Sequence, residues 1–321
     1  MIEVQHLTKK YGKHLALDDL SFTIEKGQIY GFLGPNGAGK STTMNIMTGY
    51  ISATSGEVLI DGHSILDEPE KAKKSIGYLP EIPPLYLDMT VMEYLKFVAE
   101  LKKIPKDKRP AEVRKASTLV KLNDVSNRLI RNLSKGYKQR TGLAAAVLGF
   151  PDIIILDEPT VGLDPKQIIE IRQLIRKLAK DHTVILSSHI LAEVQEICDY
   201  ILIISKGKLV GSGTPEELEE LSHGKDSIEL TVKSDADTIQ SVLDRIDGIQ
   251  NVTWRNQGAG SCDLLVDTSK SAQEVCEDIS IALATAPIPV TRINILKATL
   301  EDIFLELTES SQKDEEGETK R

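Results

Sequence analysis

Short, wholly apolar runs alternate along this chain with longer stretches whose apolar residues recur every three or four positions. Ile29–Leu33 (IYGFL) is one such run and breaks into GPNGAGK. Ile153–Leu156 (IIIL) and Thr183–Ser188 (TVILSS) are two more. Runs of this kind fit strands covered on both faces of a parallel sheet. Between the last two lies a predicted helix with clear start signals. Asp164 stands at the cap and Pro165 at the first helical position, and Ile168, Ile171, Leu174, Ile175 and Leu178 share one face. Strand, helix and strand in that order make the βαβ unit of an α/β fold. STTMNIMTGY reads as a helix, and residues 90–150 read as largely helical, over VMEYLKFVAELKK, EVRKASTLVKL and KQRTGLAAAVLG. YILIIS at 200–205, followed by KGKLVGSG, reads as a closing hairpin.

The period changes at about 222–226 (SHGKD). Ile228, Leu230 and Val232 alternate as in a strand, and Ile239, Val242, Leu243 and Ile246 follow at helical spacing. IQNVTW and CDLLVD read as strands joined by a turn in RNQGAGS; SAQEVCEDISIALA reads as a helix and PVTRINIL as a last strand. The order β-α-β-β-α-β is the ferredoxin-like arrangement. The pattern therefore predicts a first domain over 1–222 and a small α+β domain over 225–309. TLEDIFLELTE reads as a short helix, and the acidic tail 310–321 is expected to be disordered.

Length agrees with two domains, since single cores rarely grow beyond about 250–300 residues and this chain has 321. Aromatic residues make up only 4%, so the core must be built from Ile, Leu, Val and Ala. A net charge of −9 argues against nucleic acid as a partner. Lys102–Lys115 is a local exception, with seven basic residues that could face anionic lipid or simply solvent. Cys198, Cys262 and Cys276 are odd in number and hold no C-x-x-C, which fits a reducing compartment. No run of about 18 apolar residues is present and the first residues lack a signal-peptide pattern. A membrane role would need a docking partner.

The candidate chemistry starts at Gly34-Pro35-Asn36-Gly37-Ala38-Gly39-Lys40-Ser41-Thr42, which fits G-x-x-x-x-G-K-[ST] between a strand and a helix. The glycines let backbone N–H groups turn inward around phosphate oxygens, and the helix N-terminus adds a favourable dipole. Lys40 is placed to reach the β- and γ-phosphates, and the Ser41 hydroxyl to hold Mg²⁺. This loop alone signals a nucleoside triphosphate. Ile153–Leu156 then ends in Asp157 and Glu158. The carboxyl end of a buried strand is where ligands of open α/β sheets bind. Asp157 is the candidate metal ligand and Glu158 the candidate general base for an attacking water.

In these motifs the chain resembles the ATP-binding cassette (ABC) ATPases, a resemblance covering residues 1 to about 222. Leu133-Ser134-Lys135-Gly136-Tyr137 is similar to the family signature LSGGQ, Pro159–Asp164 (PTVGLD) matches the segment after the catalytic acid, and His189 stands at the switch-histidine position. The resemblance implies a P-loop NTPase (RecA-like) cassette with an inserted helical subdomain at about 83–137. It implies that Tyr11 stacks on adenine and that His189 orients water and γ-phosphate. It further implies that Ser134 and Gly136 touch the γ-phosphate held by Lys40 of a second ATPase subunit, identical or a close paralogue. Three positions depart from the family pattern: Lys135, Tyr137, and Glu81 in SIGYLPE where Gln is usual. Glu81 keeps an oxygen for Mg²⁺ but adds a charge.

GYLPE, KGYKQR and TLEDIFLELTE resemble the ATPases of ABC-2 type exporters. That branch implies a multi-span transmembrane permease as partner and a cytoplasmic place on the inner face of the membrane. The runner-up is a non-transport member acting in translation or DNA repair. Such proteins usually show two cassettes in one chain, a long coiled coil or zinc cysteines, and none stands in this sequence.

Overall fold

Apolar side chains that alternate or run unbroken decide which strands face water on one side and which are buried on both. The computed structural model describes residues 1–220, 226–258, 260–296, 299–305 and 308. They fall into two units, over Met1–Pro215 and Glu216–Glu306. The first opens with a hairpin of β1 (Ile2–Tyr11) and β2 (His14–Ile24). Next come β3 (Ile29–Leu33), α1 (Lys40–Met47), β4 (Ser55–Ile60), β5 (His63–Ser64), α2 (Pro69–Lys74) and β6 (Ile76–Leu79). Helices α3 (Val91–Leu101), α4 (Arg109–Leu119) and α5 (Lys135–Val147) follow. The unit continues through β7 (Ile153–Leu156), α6 (Pro165–Leu178), β8 (Thr183–Ser188), α7 (Leu191–Ile197), β9 (Tyr200–Ser205) and β10 (Lys208–Gly213), after which α8 spans Pro215–Glu220.

Two sheets result. The central one has the order β10-β9-β3-β8-β7-β6, and every residue of β3, β7 and β8 is buried. Its strands from β9 to β6 pair in parallel, and β10 closes the edge antiparallel to β9. The adjacent β7 and β8, joined by α6, are the expected βαβ unit. The other sheet, β2-β1-β4-β5, is antiparallel. In its long β1, register shifts at Val4/Leu7 and Leu7/Lys9 break the two-residue period.

Helix boundaries follow from caps. The Asp164 carboxylate accepts a hydrogen bond from the Gln167 N–H at 2.9 Å, and α6 buries Ile171, Leu174, Ile175 and Leu178. Thr90 and Glu93 form a reciprocal capping box at the start of α3. The basic run lies at the surface, with six of its seven basic residues exposed, and some of its donors are used within the protein. Lys102 Nζ donates to the carbonyls of Ala146 and Leu148 at 2.8 and 2.7 Å, closing the end of α5. Arg109 Nε donates to the Ile104 carbonyl, Lys103 pairs with Glu70, and Lys115 sits 3.5 Å over the Phe150 ring.

The second unit holds β11 (Ser227–Val232), α9 (Ala236–Leu243), β12 (Ile249–Gly258), β13 (Ser261–Thr268), α10 (Ala272–Thr285) and β14 (Val290–Leu296). Its sheet has the order β12-β13-β11-β14, with all neighbouring pairs antiparallel. Ile228, Leu230, Val232, Leu264 and Val266 on one face pack with Ile239, Leu243, Val275, Ile279 and Leu283 of the two helices. β12 runs through Arg255 and Asn256, where the sequence predicts a turn. On a sheet edge polar side chains cost the ladder nothing, and Arg255 reaches Glu229 on β11 at 3.4 Å. Residues 300–305 are helical. The composition change near 222–226 falls mostly on residues outside those described, as does the tail 310–321.

Candidate nucleotide site

β3 delivers the chain into the loop Gly34–Gly39 and α1 leaves it at Lys40. Gly37 and Gly39 have φ of 81° and 108°, in the left-handed region that favours glycine. Gly34 is held by space instead. A Cβ there would stand 2.2 Å from the Ile204 carbonyl oxygen and 3.1 Å from the Ala38 Cβ. The turn between β9 and β10 braces the loop from below: the Gly207 N–H donates to the Ala38 carbonyl at 2.8 Å. Gly34→Ala is therefore expected to distort the loop and destabilise the fold by about 1–3 kcal/mol, the usual cost of overpacking. A fall in the thermal midpoint measures it; an unchanged midpoint would show that the loop has room.

Lys40 is 5% exposed. Its Nζ donates to the carbonyls of Gly34 at 2.8 Å and Pro35 at 3.2 Å, and lies 3.7 Å from Glu158 Oε1. Burial pushes the ammonium below the ordinary lysine range, while the Glu158 and Asp157 carboxylates pull it back. Ser41 Oγ donates to Asp157 Oδ1 at 3.1 Å, across 116 residues of sequence.

The two acids leave β7 in different directions. Asp157 is 3% exposed and lies behind Ser41. Glu158 has φ of 48°, uncommon for a residue with a side chain and a conformation that must be held by its surroundings. Ser187 supplies the hold. Its hydroxyl accepts from the Glu158 N–H at 2.8 Å and donates to Asp157 Oδ1 at 2.6 Å. His189, just beyond β8, places Nδ1 3.0 Å from Glu158 Oε2.

These groups border a cavity of about 460 Å³. Asn36, Gly37, Ala38, Gly39, Lys40, Ser41 and Thr42 form its floor, and Glu81, Glu158 and His189 one wall. Tyr11, half exposed, stands at the far end with His14 and Ala16. Gly34 and Pro35 sit behind Lys40. Ser134 and Gly136 lie elsewhere. The Ser134 side chain caps α5, and Gly136 borders a separate cavity of about 330 Å³ with Asp164 and Gln167. Within one chain these two residues do not meet the loop. Sequence reasoning missed Ser187; its signal was the pair of hydroxyls that ends an otherwise apolar run, TVILSS.

The donor set suits a hard cation. Among the described residues no three His, Cys, Asp or Glu side chains cluster tightly enough to hold a metal. Ser41 and Asp157 offer two oxygens side by side, which fits an ion such as Mg²⁺ that takes its other ligands from water and phosphate.

Comparison with known proteins gives the same direction. A family model described as ABC transporter matches residues 17–161. An uncharacterized ABC transporter ATP-binding protein of Bacillus subtilis, YhcH, is 35% identical over 100% of this chain and 97% of its own length. The bacitracin transport ATP-binding protein BcrA of Bacillus licheniformis is 41% identical over 65% of this chain and 68% of its own. Among solved structures, a dimeric ATP-binding cassette in a post-hydrolysis state bound to ADP and Pi has a TM-score of 0.61 at 27% identity. It covers 67% of this chain and 98% of its own. With a likeness that runs over the whole of this chain and 97% of YhcH, and a site built as described, the chain belongs to the ATP-binding subunits of ABC transporters.

Proposed function

We propose that the cavity binds ATP with Mg²⁺ and hydrolyses it, and that the energy drives a separate multi-span permease of the exporter type. The observation that carries this reading is the convergence of Lys40, Glu158 and His189 on one cavity, with the Ser41–Asp157 pair beside them. Lys40 receives the β- and γ-phosphates, and burial, which pushes its pKa down, leaves the ammonium poorly hydrated and ready to take a phosphate oxygen. Tyr11 stacks on the adenine. Ser41 and Asp157, with Glu81 across the cavity, are the residues that would hold Mg²⁺; the ion would neutralise charge on the transferred phosphoryl group. Glu158 takes the proton of the attacking water, and His189 steadies both the carboxylate and the γ-phosphate.

Ser134 and Gly136 complete the site of a second ATPase subunit. Their distance from the loop of their own chain supports this, as does the dimeric form of the ADP- and Pi-bound cassette. ATP binding then closes the pair and loss of the γ-phosphate opens it. The likeness to BcrA, a bacitracin transport protein, supports the transporter reading. Among the described residues no helix is long and apolar enough to cross a membrane, so docking at the cytoplasmic face through the permease is part of the proposal. The full chain, extracted from membranes in mild detergent, is expected to bring down a multi-span protein. Recovery with ribosomes or DNA and no membrane protein would overturn the transporter reading.

A further inference from the structure

One buried carboxylate outside the cavity joins the two segments that present Glu158 and His189. Glu193, on α7, is 5% exposed. Its Oε2 accepts a hydrogen bond from Thr160 Oγ1 at 2.7 Å and another from Ser188 Oγ at 3.2 Å. Thr160 lies two residues after Glu158, and Ser188 directly precedes His189. The Ser188 hydroxyl also accepts from the Ile190 N–H at 3.0 Å, so one side chain pins the backbone on both sides of the histidine. Arg172 of α6 faces the other carboxylate oxygen at 3.5 Å.

A carboxylate taken out of water costs several kcal/mol unless it is paired. Here two hydroxyl donors and a guanidinium pair it. The chemistry of the junction follows from that set. Thr160 and Ser188 both donate to one carboxylate oxygen, which holds their two segments together. An apolar side chain at 193 would take away the acceptor to which both buried hydroxyls donate. Glutamine would keep an acceptor oxygen for them and lose only the charge toward Arg172. Glu193 does not line the nucleotide cavity.

We propose that Glu193 is a positioning residue for hydrolysis: it ties the loop after Glu158 to the turn that carries His189 and so fixes their 3.0 Å approach. The inference rests on Glu158 being the general base. A reacting group displaced by about 1 Å can lose about 10²-fold in rate, so the junction acts on turnover rather than on nucleotide affinity.

The test compares steady-state ATP hydrolysis and nucleotide titration for the full chain with its membrane partner. Glu193→Ala is expected to lower kcat about 10- to 100-fold while KM and the nucleotide Kd stay within about threefold. Glu193→Gln is expected to restore kcat to within about threefold of the parent. Thr160→Val, which keeps shape and removes one donor, should lower kcat alone but add little to Glu193→Ala, as expected when two changes break one network. Three results would each overturn the proposal: kcat of Glu193→Ala within twofold of the parent, an equal loss in Glu193→Gln, or a Kd that rises in step with the loss of kcat. If Glu193→Ala does not fold, the split of kcat against KM in Thr160→Val decides the question by the same criteria. Glu158→Gln run alongside separates the two layers. Full activity in that variant indicts the base, and full activity only at position 193 indicts the positioning.

Discussion

Glu158→Gln is expected to lower ATP turnover about 10²- to 10⁴-fold and to leave nucleotide binding within a fewfold of the parent. The substitution keeps the size of the side chain, and both the Ser187 contact to its N–H and the backbone conformation can persist. What it removes is the carboxylate in the cavity wall that stands against His189 and can accept a proton there. It also removes a negative charge 3.7 Å from Lys40, which should if anything favour a bound triphosphate. Single-turnover hydrolysis and an equilibrium titration on the same preparation separate the two effects. Turnover within a fewfold of the parent would remove Glu158 from the role of base.

Lys40→Ala is expected to abolish tight ATP binding. Among the described residues the ammonium is the one lysine or arginine charge lining the cavity, and it is already partly desolvated, so its attraction for phosphate is little screened by water. Loss of the side chain also leaves the buried Asp157 and Glu158 carboxylates without their shared counter-charge, which would repel a triphosphate. ATP at about 100 times its Kd stabilises a binding protein by about 2.7 kcal/mol. The parent should show that gain in thermal unfolding and Lys40→Ala should not. An equal gain in both would contradict the assignment of the cradle.

The parts of the site legible in the sequence are those whose chemistry is local. Gly34–Ser41 is a contiguous loop whose glycines and lysine have one obvious use, and α6 announces itself through Asp164, Pro165 and an apolar stripe. The contacts that organise the site are not local. Ser41 meets Asp157 across 116 residues, and Ser187 meets Glu158 across 29. A serine at the end of a strand gives no sign of which distant N–H it will accept from. The left-handed conformation of Glu158 is equally silent, because it is imposed by β7 and β8 together and not by the residue. The basic run at 102–115 keeps the outward face its charge suggests, with Arg109 alone half-buried, and what the charge did not show is that Lys102 and Arg109 also donate to backbone carbonyls. In the second unit the alternation of Ile228, Leu230 and Val232 made β11 plain, while the length of β12 depended on an edge that tolerates polar residues.

The most direct measurement is phosphate release by the purified chain together with its permease, with ATP in the presence of magnesium and then of a chelator. Steady release that stops on chelation, and is lost in Glu158→Gln, is the expected result. Absence of release under every condition, from protein that still binds the permease, would contradict a hydrolytic site built from Lys40, Asp157 and Glu158.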